Sequence, residues 1–295
     1  MLFPGFEYRR VRTSGATIHL ATAGSGPPVL LLHGYPQTHA MWHKVAPPLA
    51  RRYTVVCADL RGYGDSSKPR GLPDHSNYSK RAMAQDMVEV MHSLGHRRFH
   101  VVGHDRGGRV AHRMARDHGA RVRTLTVLDI SPTLKMYEST DMAFARAYYH
   151  WFFLIQPEPL PEKLLAGHVP GYILGRIGRG PGGLRHFSRA ALGEYVRCFR
   201  DPRTIHATCE DYRAAAGIDL AHDRRDRAKK LAMPVLALWG KYGVIERLFD
   251  CLADWREVAA NVSGRALPCG HFLAEERPAE LLRELQRFLK RHALS

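Results

Sequence analysis

The chain has 295 residues, 45% of them apolar, enough to bury the core of one large domain or of a domain carrying an insertion. Lys and Arg number 44 against 28 Asp and Glu, and the net charge of +16 reads either as a field that attracts anions or, more plainly, as arginines decorating a solvated surface. The basic residues are spread along the chain without a recognition-helix, zinc-finger or RNA-binding signature, which argues against nucleic acid. No apolar run nears the ~18 residues of a membrane-spanning helix, so no membrane is expected as a partner. Residues 1–10 lack the apolar block of a signal peptide, and five cysteines without a C-x-x-C pair suit a reducing cytoplasm.

Loose alternation over 17–22 predicts a strand, 24–28 a turn, and the apolar run 29–32 a short, fully buried strand. That run ends in His33-Gly34-Tyr35-Pro36, after which a helix is expected over 41–49. Another buried strand over 54–58 leads into the glycine-rich loop Asp59-Leu60-Arg61-Gly62-Tyr63-Gly64-Asp65-Ser66. From 80 to 94, Met83, Met87, Val90, Met91 and Leu94 share one helical face, which Gly95 terminates. Residues 99–102 read as a strand, 109–118 as a helix and 124–130 as a strand stopped by Ser131-Pro132. The alternation predicts an α/β fold, a mostly parallel sheet flanked by helices. Ligands of such sheets gather at the carboxyl ends of the strands, where His33, Asp59, Asp105 and Asp129 fall.

After Pro132 the texture changes. Residues 142–154 are rich in aromatics, Gln156-Pro157-Glu158-Pro159-Leu160-Pro161 reads as a stiff linker, 167–183 as a glycine-rich loop and 190–216 as helix. No strand pattern occurs between Pro132 and Lys230, so 132–230 is expected to be an inserted helical cap over a core of 1–131 and 231–295. Residues 234–239 restore a strand, 245–259 a helix and 264–267 a last strand. Cys269-Gly270-His271-Phe272 follows, then a closing amphipathic helix over 278–292.

Gly103-His104-Asp105-Arg106-Gly107 joins a buried strand directly to a helix. Small residues around the middle position are required where strand and helix backbones nearly touch, the layout of a nucleophile elbow. Here the presented residue is Asp105, and a carboxylate needs no base before it attacks. The plainer reading is a tight turn with a helix-capping Asp. Two features favour the first: His271 follows the last strand, and Asp129 ends the strand after the elbow helix, placed to orient that imidazole.

With Gln37-Thr38 after the first motif, Gly108-Arg109 after the elbow, His150-Trp151-Phe152-Phe153 and Gln156-Pro157 in the insertion, and Gly270-His271-Phe272, these motifs resemble the α/β-hydrolase superfamily over essentially the whole chain. Within it, the chain is similar to the fluoroacetate (haloacetate) dehalogenases. The first two motifs are shared with epoxide hydrolases and haloalkane dehalogenases, whereas Asp-Arg-Gly-Gly-Arg with His-Trp is narrower. The resemblance implies hydrolysis of a small anionic haloacid, fluoroacetate giving glycolate, by a homodimer without metal or organic cofactor. It implies catalytic roles for Asp105, His271 and Asp129, oxyanion donors at the Tyr35 and Arg106 N–H groups, and a halide pocket of His150, Trp151 and Tyr212. Tyr148 and Tyr149 are rival phenols for the last position.

Arg106 and Arg109 sit three apart at a helix start, where cations are unfavourable unless an anion joins them. A substrate carboxylate gripped by both would be that anion; the plainer reading pairs them with acids such as Asp65 or the cap's glutamates. The loop after 234–239 lacks an Asp, which favours Asp129 as orienting acid and leaves Glu246 as a fallback. Two further functions remain open: an epoxide hydrolase using Tyr148, Tyr149 and Tyr212, and a non-catalytic ligand receptor. His92, His96, His100 and His104 cannot share a face across Gly95, and His39 with His43 shows no third ligand in sequence, so no metal is expected.

Overall fold

Apolar runs too short for helices dictate the centre of the molecule. The computed structural model describes residues 2–292; Met1 and 293–295, at the outer ends of the two predicted core segments, lie outside it. Eight strands form one sheet: β1 (Glu7–Arg12), β2 (Thr17–Ala23), β3 (Pro28–Leu32), β4 (Thr54–Ala58), β5 (Phe99–His104), β6 (Val122–Leu128), β7 (Val235–Gly240) and β8 (Val262–Leu267). Their order is β1-β2-β4-β3-β5-β6-β7-β8, antiparallel at β1–β2 and β2–β4 and parallel elsewhere. All six residues of β5 are buried, as strands covered on both faces must be. The order reverses around β3, so a crevice opens beyond the carboxyl ends of β3 and β5.

Helices α1 (Ala46–Leu49), α2 (Lys80–Ser93) and α3 (Arg106–Asp117) connect the first strands. Between β6 and β7 come α4 (Thr133–Glu138), α5 (Met142–Ala147), α6 (Tyr149–Leu154), α7 (Leu160–Ala166), α8 (Val169–Ile177), α9 (Arg189–Phe199), α10 (Pro202–Ala216) and α11 (Ile218–Arg225). The last are α12 (Val244–Leu248), α13 (Cys251–Val258), α14 (Leu273–Glu276) and α15 (Pro278–Arg291).

Four expectations need correction. The helix foreseen over 41–49 is a 3-10 turn, His39–Trp42, followed by the single-turn α1, because Pro47 and Pro48 suit only a first helical turn. The glycine-rich loop over 167–183 contains α8; Ile173 and Ile177 bury one side of it and override Gly171 and Gly175. The 190–216 helix is split into α9 and α10 at Asp201-Pro202, where Asp201 caps the new start, and 245–259 is likewise split before Asp250. Strand β1 had no apolar run to announce it. Its residues are mostly exposed and charged, as befits the edge of a sheet.

Candidate active site

The elbow stands at the carboxyl end of β5. Asp105 adopts φ +47° and ψ −113°, a conformation that costs an L-residue about 1–3 kcal/mol. The surrounding packing enforces it. A Cβ on Gly103 would lie 2.4 Å from the Gly107 carbonyl oxygen, and one on Gly107 would lie 2.4 Å from that of His33. Strand, helix and the loop after β3 can therefore converge only through glycine. The Asp105 side chain does not cap α3. Its Oδ1 instead accepts the Tyr35 main-chain N–H at 2.9 Å. Burial opposes its charge, but His271 and Arg109 outweigh burial and push its pKa down to about 2.

Beside it, the His271 imidazole donates Nδ1–H to Asp129 Oδ2 at 2.6 Å, which leaves Nε2 with its lone pair. Asp129 is itself fixed: its other oxygen accepts the Gly240 N–H at 2.8 Å, and its backbone turns at φ +52°. Burial lowers the His271 pKa, yet the hydrogen bond and charge of Asp129, with Asp105 adding, raise it above the usual value. Glu246 is exposed and accepts the Trp239 indole N–H, so Asp129 is the acid that meets the imidazole. His104 braces the same loop through Nε2–H to the His271 carbonyl at 2.8 Å.

The two arginines, expected either to grip a substrate carboxylate together or to pair with nearby acids, behave differently. Arg106 forms a two-pronged pair with Asp211 of α10, Nε–Oδ2 at 2.9 Å and Nη2–Oδ1 at 2.7 Å, both residues wholly buried. Burial works against that guanidinium, but Asp211 outweighs it and raises its pKa. Arg109 has no carboxylate partner among the described residues. Its Nη1 donates to the Thr133 hydroxyl at 3.0 Å, and burial lowers its pKa. Neither reaches Asp65, which pairs with Arg197.

Facing the arginines are three aromatic side chains of the inserted helices. The Arg106 guanidinium carbon lies 4.0 Å from the centre of the Tyr212 ring, and that of Arg109 lies 4.7 Å from the centre of Trp151. The Tyr212 ring is 5.8 Å from His150 and 6.4 Å from Trp151, and 5.4 Å from Tyr35 at the elbow. Five buried donor atoms of this cluster have no hydrogen-bond partner among the described residues: Arg106 Nη1, Arg109 Nε, His150 Nδ1, Trp151 Nε1 and the Tyr212 hydroxyl. Each unmet group costs about 1–3 kcal/mol. Of the rival phenols, Tyr149 is exposed, whereas Tyr148 is buried against Trp151 at 5.3 Å.

Sequence reasoning missed the supports behind these groups. Asp211 also accepts from Tyr63 at 2.7 Å and from Lys80, whose ammonium reaches Asp219 at 3.2 Å. Arg176 of α8 donates Nη2–H to His150 Nε2 at 3.0 Å. No local pattern marks residues that meet across 26 to 139 positions of chain. A cavity of about 190 Å³ between Tyr148, Arg176, Arg179, Tyr242, Arg247 and His271 leads to the imidazole. A larger hollow of about 740 Å³, lined by Arg98, Arg116 and Lys229 among others, lies at the opposite end of the sheet, near the starts of β6 and β7.

His39 has close companions, but His43 is not among them. His19, His39 and Asp59 bring one ligand atom each within 4.8 Å. Both Nδ1 atoms, however, already bond to Asp59 oxygens at 2.9 Å, and Asp59 also accepts the His39 and Asp65 main-chain N–H groups. Asp59 is thus a hub that pins the glycine-rich loop, with both oxygens already accepting hydrogen bonds. Among the described residues no helix is long and apolar enough to cross a membrane.

Comparison with known proteins agrees with this fold. The alpha/beta hydrolase fold family profile matches residues 27–278. The chain is 49% identical over 289 residues to a fluoroacetate dehalogenase of Burkholderia sp, covering 98% of this chain and 95% of that one. It is 37% identical over 281 residues to a soluble epoxide hydrolase of Corynebacterium sp. (strain C12), covering 92% and 93%. A solved chain from Nostoc sp PCC 7120, described as a candidate alpha/beta hydrolase, superposes with a TM-score of 0.96 at 58% identity, covering 98% of this chain and 99% of that one.

Proposed function

The chain belongs to the α/β-hydrolase family, and from that premise we propose that it hydrolyses the carbon–halogen bond of a small haloacid, fluoroacetate giving glycolate and fluoride. One observation carries the reading: five unpartnered buried donors, two of them on guanidiniums and three neutral, stand in one cluster beside a carboxylate nucleophile. Cations suit the acid end of a haloacetate, and neutral N–H and O–H donors suit a departing halide. A hydrogen bond that strengthens as the carbon–halogen bond breaks lowers the barrier rather than merely binding the substrate.

In the first step Asp105 Oδ2 attacks the halogen-bearing carbon from the side opposite the halogen. Halide leaves with the bonding pair, and an ester forms. Oδ1, held by the Tyr35 N–H, is the oxygen that does not attack. In the second step His271 Nε2 takes a proton from water, and the hydroxide adds to the ester carbonyl carbon. The N–H groups of Tyr35 and Arg106 stabilise the oxyanion, each by about 3 kcal/mol if comparable to known oxyanion holes. Collapse expels glycolate, protonated by His271, and leaves Asp105 as the acid, whose proton passes to solvent to restore the carboxylate, while Asp129 keeps the imidazole oriented throughout.

The test is halide release, followed with an ion-selective electrode, from fluoroacetate, chloroacetate and 2-chloropropionate, with Asp105→Asn as blank. Release of halide by the parent but not the variant is the expected result; silence on all three acids removes the proposal. The unpartnered Tyr212 hydroxyl, with Tyr148 packed on the same His150 and Trp151 rings, favours epoxide hydrolysis as a second reading, since two phenols can polarise a ring oxygen. Diol formation from an epoxide without halide release from any acid selects it.

A further inference from the structure

His150 is a donor in that reading only if its one proton sits on the right nitrogen. A guanidinium has five N–H groups, no acceptor, and does not deprotonate in proteins. Arg176 Nη2 lies 3.0 Å from His150 Nε2, so Nε2 must offer its lone pair. A neutral imidazole carries one proton, which then resides on Nδ1, the atom left buried and unpartnered. The surroundings keep the ring neutral. Burial first, then the charge of Arg176, hold its pKa well below the usual 6.5, with His271, Arg106 and Arg179 acting the same way. The ring is stacked between Tyr35 at 6.0 Å and Tyr148 at 5.7 Å, which limits its rotation.

We propose that Arg176 is a positioning residue that fixes His150 as the neutral Nδ1–H tautomer, making it a donor to an anion held with Trp151 and Tyr212. The donor role rests on the dehalogenase reading; the tautomer does not. The opposite tautomer would turn an Nδ1 lone pair towards the halide and repel it. Arg176 also lines the cavity that leads to His271, so one side chain faces the mouth of the site and the leaving-group pocket.

The test is the long-range ¹H–¹⁵N spectrum of histidine-labelled protein at neutral pH, with the His150 signal assigned by its loss in His150→Gln. The expected result is a protonated Nδ1 and a bare Nε2 in the parent and in Arg176→Lys, and a tautomer mixture in Arg176→Met. Fluoroacetate turnover in Arg176→Met should fall at least about tenfold, the scale of one lost transition-state donor. Chloroacetate, whose leaving group needs less hydrogen bonding, should fall less, whereas a merely structural role would depress both alike. A parent His150 carrying its proton on Nε2, a doubly protonated ring, or an unchanged tautomer in Arg176→Met overturns the proposal. The intended tautomer with no halide released from either acid sinks the dehalogenase reading instead and leaves the Arg176 assignment standing.

Discussion

On the sheet side of the site, Asp105, Asp129 and His271 each bond to a main-chain or side-chain partner before any substrate arrives. On the helical side, His150, Trp151 and Tyr212 each leave a buried donor unmet. The sheet side carries groups that must be held at fixed angles for covalent chemistry, and hydrogen bonds hold them. The helical side carries groups whose partner exists only during the reaction, so satisfying them earlier would waste their effect on the ground state. The arginines span the divide: Arg106 is anchored to α10 by Asp211, whereas Arg109 has no salt-bridged acid among the described residues.

The sharpest break in this comparison comes from the sheet side. Asp105→Asn should lower haloacid turnover roughly 10⁴-fold or more, as removal of a nucleophile does elsewhere, with thermal stability little changed. His271→Ala should release one halide per site and then stall, with the ester visible by intact mass. A variant that still cycles would put the base somewhere else.

The arginines test the boundary through stability. Arg106→Met strands Asp211 with only Lys80 and Tyr63, and chemical denaturation should show a loss of about 3–5 kcal/mol, the scale for breaking a buried pair. Arg109→Met removes a buried cation with no salt-bridged carboxylate among the described residues, though its charge supports Asp105; stability should fall by clearly less than in Arg106→Met, while the substrate KM climbs. Equal losses in both variants would refute the division drawn between them.

On the helical side, Trp151→Phe keeps the ring and deletes one unmet donor. Fluoroacetate turnover should fall about 10- to 100-fold by loss of a transition-state hydrogen bond, chloroacetate less, and the melting temperature should hold or increase.

The smallest effect is in the pH profile. His271 must be neutral to take a proton from water in the second step, so kcat should decline as pH drops through its pKa, whereas kcat/KM, which ends at halide release, should not need it. The pKa of His271 is raised in the free enzyme, and alkylation removes the Asp105 charge that helps raise it, so the acid limb of kcat should sit below that free-enzyme value. Asp105, pushed down to about 2, and His150, kept neutral, add no limb of their own near neutrality.

The elbow, the parallel strands and the Asp129–His271 pairing were legible because each leaves a local mark: Val101-Val102 before glycines, Asp129 at a strand end, His271 after the last strand. Asp211 and Arg176 left none. Asp211 lies on a stretch read only as helix and Arg176 on one read as a glycine-rich loop, and their partners Arg106 and His150 are reached only through tertiary folding. Helix α8 was hidden by its glycines and β1 by its charges, two cases in which tertiary pairing overrides local preference.

The main-chain hydrogen bond from Tyr35 makes the two oxygens of Asp105 unequal, and under the proposed mechanism they have different histories. Oδ1 stays with the protein through every cycle, while its neighbour departs inside the product and is replaced from solvent. In water enriched in oxygen-18, the first molecule of glycolate should therefore emerge with a hydroxyl of ordinary mass, and the isotope should surface one turnover late.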